Sequence, residues 1–451
     1  MQKLIIWNHM AKILKILGIL TVFIFCVLVP FSRPKATPEP LIKLGIDVLE
    51  ESGFDILQGK KIGILTNQAG VNGKGIQTWK VLKNAPGVDL KVIFAPVHGL
   101  NGKYMSDETF YNDEVDGIPV YSVYASNSKP KDEWLRGLDA VVVDLQGLGI
   151  RYYNYWAFMI YMMVACFEKD IEVIVLDRPN PLGGRYTGGP IMEAEHTSIW
   201  GPIVGLPLFH GMTIGELALF AKDNENDIHA HQQIETGVLH AGLGCPKEIF
   251  SQGKLVVVPM KNWKRDMLWQ DTGLRWVQTS PYIPNLQSAY EFALINLATL
   301  VSSNHRSSNC NFFACETDWE NNLPFHRFFS RIVVPSHIIR YVYETCGGHP
   351  EGYTLTLSKK NKNAVEINIK DFRKTIPGFF ALTLIALSQK HSRFDFNSEE
   401  NYNFLGALIG DSELLEKLFR MEHINPRYFE DKWHTSALHF IEKSKRFYRY
   451  D

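Results

Sequence analysis

Four short runs of Val, Ile and Leu stand out in the first half of the chain. Lys61–Thr66, 90–94, Ala140–Asp144 and 171–177 are apolar at nearly every position rather than at alternate ones. A strand covered on both faces reads this way, and such strands belong to parallel sheets. Between them the spacing turns helical, as over 155–168 and 213–222. Alternating strands and helices predict an α/β domain with a Rossmann-like, doubly wound parallel sheet.

The second half is less regular. A strand is expected over 255–259, a proline-rich turn over 280–285, and a hairpin-like pair at Tyr353–Leu357 and Ala364–Ile369. Helices are expected over 378–390, 413–420 and 436–446. This mixture predicts a second, smaller α+β domain. With 451 residues, two domains are the natural division. The expected boundaries are an N-terminal segment and linker over 1–41, the Rossmann-like domain over 42–235, and the α+β domain over 236–451.

The N-terminus follows a different pattern. Lys3, Lys12 and Lys15 precede an uncharged apolar run over 16–31, and a proline-bearing polar stretch follows. A basic start followed by an apolar core reads as a secretory signal. The run is long for that purpose and short for a membrane span, and no clean small-x-small cleavage site follows it. Export to the periplasm or cell envelope is therefore expected, with residues 16–31 either a signal or an uncleaved membrane tether.

Charge and cysteine content remove several function classes. Lys+Arg 47 against Asp+Glu 48 leaves a net charge of -1, so no nucleic-acid partner is expected. The six cysteines show no Cys-x-x-Cys spacing and no histidine cluster beside them, so no metal site is expected. No Gly-x-Gly-x-x-Gly or Walker A loop follows the first strand, and no Gly-x-Ser-x-Gly occurs. A bound dinucleotide or nucleotide and a serine hydrolase elbow are thus disfavoured, and no cofactor is expected.

What remains is polar chemistry at the strand ends. Asn67 and Gln68 follow the first run, His98 the second, Asp144 and Gln146 the third, and Asp177 and Arg178 the fourth. In open α/β sheets ligands sit outside the carboxyl ends of the strands. One such residue means little, since Asp and Asn also cap turns. Four strands ending alike point to a site.

Dense motifs extend these ends. They are His98-Gly99, Asp144-Leu145-Gln146-Gly147-Leu148-Gly149-Ile150-Arg151-Tyr152-Tyr153, Asp177-Arg178-Pro179-Asn180-Pro181, His210-Gly211-Met212-Thr213-Ile214-Gly215-Glu216, Val258-Pro259-Met260-Lys261-Asn262-Trp263 and Ser280-Pro281-Tyr282-Ile283-Pro284-Asn285. Together they resemble the exo-β-N-acetylmuramidase family of glycoside hydrolases, from about Gly45 to the C-terminus. The resemblance implies a Rossmann-like domain joined to a smaller α+β domain, with the site between them. It also implies a peptidoglycan-derived sugar or muropeptide as partner, with terminal N-acetylmuramic acid released from the non-reducing end.

The chain departs from that family's pattern at three acidic positions. Val97 stands where the family carries Glu before His-Gly, Gly147 where it carries Asp after Gln, and Asn304 where it carries Glu after Ser. Glycoside hydrolysis ordinarily needs two carboxyl groups. For catalysis the remaining candidates are Glu108, which matches a family acid shortly after His-Gly, Asp144, and the proton carriers His98 and His210. For substrate binding they are Asn67, Gln146, Tyr153, Asp177, Arg178 and Asn180, with Arg151, Arg265 and Arg306. A guanidinium fork suits the lactyl carboxylate of muramic acid, and an aromatic ring suits a sugar face. Each has a plain structural alternative: a turn cap, an ion pair, a core ring. Two readings stay open, an exo-glycosidase with rearranged carboxylates and a non-catalytic binder of muropeptides or another envelope sugar.

Overall fold

The computed structural model describes residues 40–451 apart from 106–111, 125–128, 199–200, 224–246, 304–311, 319–320 and 392–398. The apolar run at 16–31 lies outside the described residues, as do Glu108, Asn304 and Arg306. Among the described residues no helix is long and apolar enough to cross a membrane.

The four apolar runs form the centre of one sheet. Its strands are β1 (Lys61–Thr66), β2 (Asp89–Ala95), β3 (Asp113–Val115), β4 (Ile118–Ser122), β5 (Ala140–Asp144) and β6 (Glu172–Leu176), with β9 (Leu255–Val258) at one edge. The spatial order is β3-β4-β2-β1-β5-β6-β9. Every neighbouring pair is parallel except β3 with β4. Without β3, the chain winds outward from β1 to one edge and then from β5 to the other, the order of a Rossmann-like sheet. The doubly wound α/β reading is borne out. β9 lies past the expected division at residue 235. Its Leu-Val-Val-Val run pairs in register with Val173–Leu176, so the parallel sheet draws its last strand from sequence assigned above to the second domain.

Both faces of the sheet are covered. One face packs on α1 (Tyr155–Phe167), all of whose residues are buried, and on α2 (Ile214–Lys222). The other face meets the first helical turns of the chain and Trp263. Between β6 and α2 the chain leaves the sheet in a small antiparallel pair, β7 (Gly188–Ile191) with β8 (Pro207–Phe209).

The second sheet is antiparallel throughout, in the order β10-β11-β13-β12. It comprises β10 (Phe313–Asp318), β11 (Leu323–Ser330), β12 (Tyr353–Leu357) and β13 (Ala364–Ile369). Helices α3 (Leu286–Ser303) and α4 (Pro377–His391) bury their apolar residues in its core. Three more helices close the chain: α5 (Glu399–Ile409), α6 (Ser412–Phe419) and α7 (Pro426–Ser444). The same apolar cluster takes in Leu148, Ile150, Tyr152, Leu208 and Phe209 from the loops above the parallel sheet. The two halves therefore share one core.

Arg151 sits at that junction and is fully buried. Its Nη1 donates to the carbonyls of Pro190 and Leu206, both at 2.8 Å, and its Nη2 to those of Leu408 and Ile409 at 3.1 and 2.7 Å. One guanidinium thus ties the β7–β8 excursion to α5. Removing it takes a donor from four buried carbonyls, of which that of Leu206 also accepts the Met192 amide, at about 1–3 kcal/mol for each one left unpaired. Arg151→Met is expected to lower unfolding free energy by at least about 3 kcal/mol in urea titrations. A loss below about 1 kcal/mol would contradict this role.

Candidate active site at the carboxyl ends of the parallel strands

The winding direction changes between β1 and β5, and this is where the polar strand ends converge. Thr66 and Asp144 are register partners, and Thr66 Oγ1 donates to the Asp144 carbonyl at 3.0 Å. Asn67 is buried, and its Oδ1 accepts the amide of Ala69 at 3.0 Å, closing a turn. Gln68 reaches across and donates to the carbonyls of Gln278 and Thr279 at 3.0 and 2.9 Å. Tyr153 Oη donates to Thr279 Oγ1 at 2.7 Å, and Tyr155 Oη to its carbonyl at 2.6 Å. The segment leading into the 280–285 turn is thereby fastened over the strand ends.

Asp144 is inaccessible to solvent and fully engaged. Arg178 grips it in a fork, through Nε on Oδ1 and through Nη2 on Oδ2 at 2.8 Å, and Thr78 Oγ1 donates to Oδ2 as well. Arg178 Nη2 also donates to the Val71 carbonyl at 2.6 Å. A buried, bidentate carboxylate–guanidinium pair is an anchor rather than a free acid.

Asp177 is likewise committed. Oδ1 accepts the amides of Gly215 at 2.8 Å and Arg178 at 2.9 Å; Oδ2 accepts the hydroxyls of Thr213, at 2.8 Å, and Tyr450. A Cβ on Gly215 would lie 2.7 Å from the Asp177 carboxyl carbon, so only glycine lets the first turn of α2 sit there. Burial raises the Asp177 pKa to about 6, the Glu216 charge adds to that, and the bonds from Tyr450, Gly215 and Thr213 oppose it. Asn180 turns inward too: Oδ1 accepts the Leu182 amide and Nδ2 donates to the Met212 carbonyl.

The two candidate histidines differ in what they can do. His98 follows β2 in a left-handed conformation, with φ at 73°, and Gly99 repeats it at 75°. Such strain in a non-glycine residue clusters at functional sites. Its Nδ1 lies 2.7 Å from the Tyr104 carbonyl, which can only accept, so Nδ1 carries the proton and Nε2 is the basic nitrogen. Burial lowers its pKa, partly opposed by that bond. His210 is oriented the opposite way: Nδ1 accepts the Met212 amide at 3.2 Å, which leaves Nε2–H as the donor. Burial lowers its pKa to about 3, with the charges of Arg151 and Arg265 adding to the effect. The ring stays neutral at physiological pH and serves as a hydrogen-bond donor, not a proton carrier.

The structure gathers most of the expected residues at this edge and separates others. Gly147, Tyr153, Arg178, Asn180 and His210 line one cavity of about 20 Å³. That is room for one water molecule and too little for a sugar ring. Gln146 donates from Nε2 to the Pro179 carbonyl at 2.8 Å, while its buried Oε1 has no partner. Arg151 faces the junction described above. Arg265 is bidentate to Glu216 at 2.7 and 3.0 Å beneath the Tyr448 ring. These two arginines, with Arg178, are spent on internal contacts. Thr78, Thr279 and Tyr450 hold the site together, and sequence reading missed all three. Thr279 adjoins the flagged 280–285 turn; Thr78 and Tyr450 carry no local signal. A cavity of about 530 Å³ adjoins Phe220 and Asp223 at the far end of α2, away from these groups.

Known proteins share this architecture. Residues 62–287 match the family model described as exo-beta-N-acetylmuramidase NamZ, N-terminal. The peptidoglycan beta-N-acetylmuramidase NamZ of Bacillus subtilis is 37% identical over 271 residues, which are 59% of this chain and 59% of that protein. The chain thus spans under two thirds of that curated relative. A crystal structure of a DUF1343 family protein from Bacteroides fragilis superposes with a TM-score of 0.70 at 28% identity, covering 92% of this chain and 100% of that one. A second DUF1343 structure from the same organism shares the fold, at 21% identity and a TM-score of 0.57, over 91% of this chain and 99% of that one.

The neutral His210 has a measurable consequence. Its folded pKa lies below the unfolded value of about 6.5, so below pH 6.5 the unfolded chain binds a proton that the native state refuses. Its contribution to stability is present above pH 6.5 and is lost as pH falls towards about 3, at about 1.4 kcal/mol per unit. Between pH 7 and pH 5 the wild type is expected to lose about 2 kcal/mol more than His210→Asn. Urea titrations of both proteins at the two pH values measure the difference, and equal losses would refute the assignment.

Proposed function

The chain belongs to the exo-β-N-acetylmuramidase NamZ family, and on that premise we propose that it recognises a terminal N-acetylmuramic acid of peptidoglycan fragments while hydrolysing it far more slowly than members that keep the family acids. One observation carries this reading. A Cβ built on Gly147 meets no atom within 4 Å. The family places an aspartate at that position, so the site keeps room for the acid and lacks the acid.

The neighbouring carboxylates offer no ready replacement among the described residues. Asp144 is held by Arg178 and Thr78, Asp177 by Thr213, Gly215 and Tyr450, and Glu216 by Arg265. Val97, at the second departure, is 7% exposed and packs in the apolar cluster with Leu145 and Trp156. An isopropyl group there supplies neither proton nor charge. A positioned general acid or base typically contributes about 10²–10⁴-fold to rate. His98, strained and with Nε2 unprotonated, is the group best suited to accept a hydrogen bond from the sugar. The basic, apolar N-terminal segment supports a location outside the cytoplasm, where the substrate resides.

Three measurements on a chromogenic N-acetylmuramic acid glycoside test the reading. The wild type is expected to bind the sugar in calorimetry and to turn it over at least about 100-fold more slowly than the Bacillus subtilis relative. Turnover equal to that relative under the same conditions would overturn the proposal. Gly147→Asp is expected to fold as the wild type does. Combined with Val97→Glu and Asn304→Glu, it is expected to raise turnover.

A further inference from the structure

Away from the strand ends, three potential metal ligands converge on one hydroxyl. Glu193, Glu195 and His196 follow β7, and their donor atoms all lie within 4.8 Å of one another. Each faces Ser412 Oγ at the first turn of α6. Glu193 Oε2 accepts both the Ser412 hydroxyl and its amide, the latter at 2.9 Å. Glu195 Oε1 lies 2.5 Å from the same hydroxyl oxygen, and His196 Nε2 lies 3.0 Å from it. A serine hydroxyl has one proton. Two carboxylates converge on it, and it can satisfy one of them.

Two independent features say that this convergence is built. The His196 ring is 2% exposed, although histidine is usually only partly buried. Room for it comes from Gly406 inside α5: a Cβ there would stand 2.5 Å from His196 Nδ1. A mid-helix glycine costs about 0.5–1 kcal/mol relative to alanine, so the helix gives up stability to admit the imidazole. The local charge is also unbalanced. Among the described residues neither Glu193 nor Glu195 pairs with a lysine or arginine, while the nearby Lys432 is taken by Asp411 and Glu413, each at 3.0 Å.

We infer that Glu193, Glu195 and His196, with Ser412 Oγ as a fourth ligand, form a binding site for a divalent first-row metal ion such as zinc. One imidazole with two carboxylates suits such an ion better than calcium or magnesium, which favour oxygen ligands alone. With bonds of about 2.0–2.2 Å in a tetrahedron, ligand atoms stand roughly 3.3–3.6 Å apart, so side-chain rotations that move them by about 1 Å close the site. The ion would brace the β7–β8 excursion against the N-terminus of α6, beside the carbonyls that Arg151 already gathers. The inference is independent of the muramic acid site.

Full-length protein stripped with EDTA and dialysed would be titrated with zinc sulfate, and in parallel with manganese chloride, by calorimetry and by melting temperature. One equivalent of zinc is expected to bind and to raise Tm. Outer partners of metal ligands alone are worth about 10–100-fold in affinity, so Glu195→Gln is expected to weaken binding at least tenfold. Glu195 is exposed, so this variant should keep the metal-free Tm of the wild type. His196→Gln is expected to lose binding as well. Absence of saturable binding of either ion to the wild type would overturn the inference. So would a Glu195→Gln isotherm matching the wild type, since the ion would then sit elsewhere.

Discussion

The buried pair of Asp144 and Arg178 is the constraint on which the site depends. It joins the carboxyl end of β5 to that of β6, and through Thr78 and the Val71 carbonyl it also fixes the loop that leaves β1. The three strand ends flank the point where the sheet reverses its winding. Breaking such a pair from one side typically costs about 3–5 kcal/mol, because the surviving charge is left without a partner in a dry setting. The same geometry decides the chemistry. A carboxylate that is closed to solvent and already takes three hydrogen bonds from a guanidinium fork and a hydroxyl is not presented to a substrate. The best-placed acid on the strand ends is consumed by architecture.

Asp177 shows the same economy by other means. It has no guanidinium partner, and burial raises its pKa to about 6. What holds it is a ring of donors from α2 and from Tyr450, 273 residues away. The C-terminal residues are thereby drawn onto the end of β6, where the Met260 amide donates to Tyr450 Oη at 3.0 Å. Whatever binds above these strands therefore meets a rigid floor. Its adaptable groups are the amides and imidazoles: Gln146 with a free Oε1, His98 with a basic Nε2, and His210 as a neutral donor.

The parallel sheet was legible because strands covered on both faces are apolar at nearly every position between their ends, as β1, β5 and β6 are. β7 was not legible: Gly188-Gly189-Pro190-Ile191 has neither alternation nor an apolar run. The polar strand ends were legible as a group for a topological reason, since parallel strands present all their carboxyl ends on one edge. Their individual roles were not. Arg151 reads as a ligand for an anion, yet its partners are backbone carbonyls, two of them 257 and 258 residues further along the chain. Carbonyl groups leave no trace in a sequence. The Glu193–Glu195–His196 cluster was passed over because its fourth member and its enabling glycine lie on α6 and α5, more than 200 residues away.

Val97 and Gly147 look alike as departures in sequence, since each replaces an acid with a group that cannot ionise. The structure separates them. Val97 is embedded among apolar neighbours, so a carboxyl there would be dry, would resist ionisation, and would favour the protonated form that a general acid needs. Gly147 opens onto empty space at the edge of the cavity shared with His210 and Asn180, so a carboxyl there would be hydrated and ionised, as an assisting base needs. The two positions thus differ in the direction in which their surroundings would push a pKa, which is how one site supplies both an acid and a base at a single pH. The scaffold thus sets an apolar surrounding at Val97 against an open one at Gly147, and the proposed slow hydrolysis rests on the residues that occupy these two places.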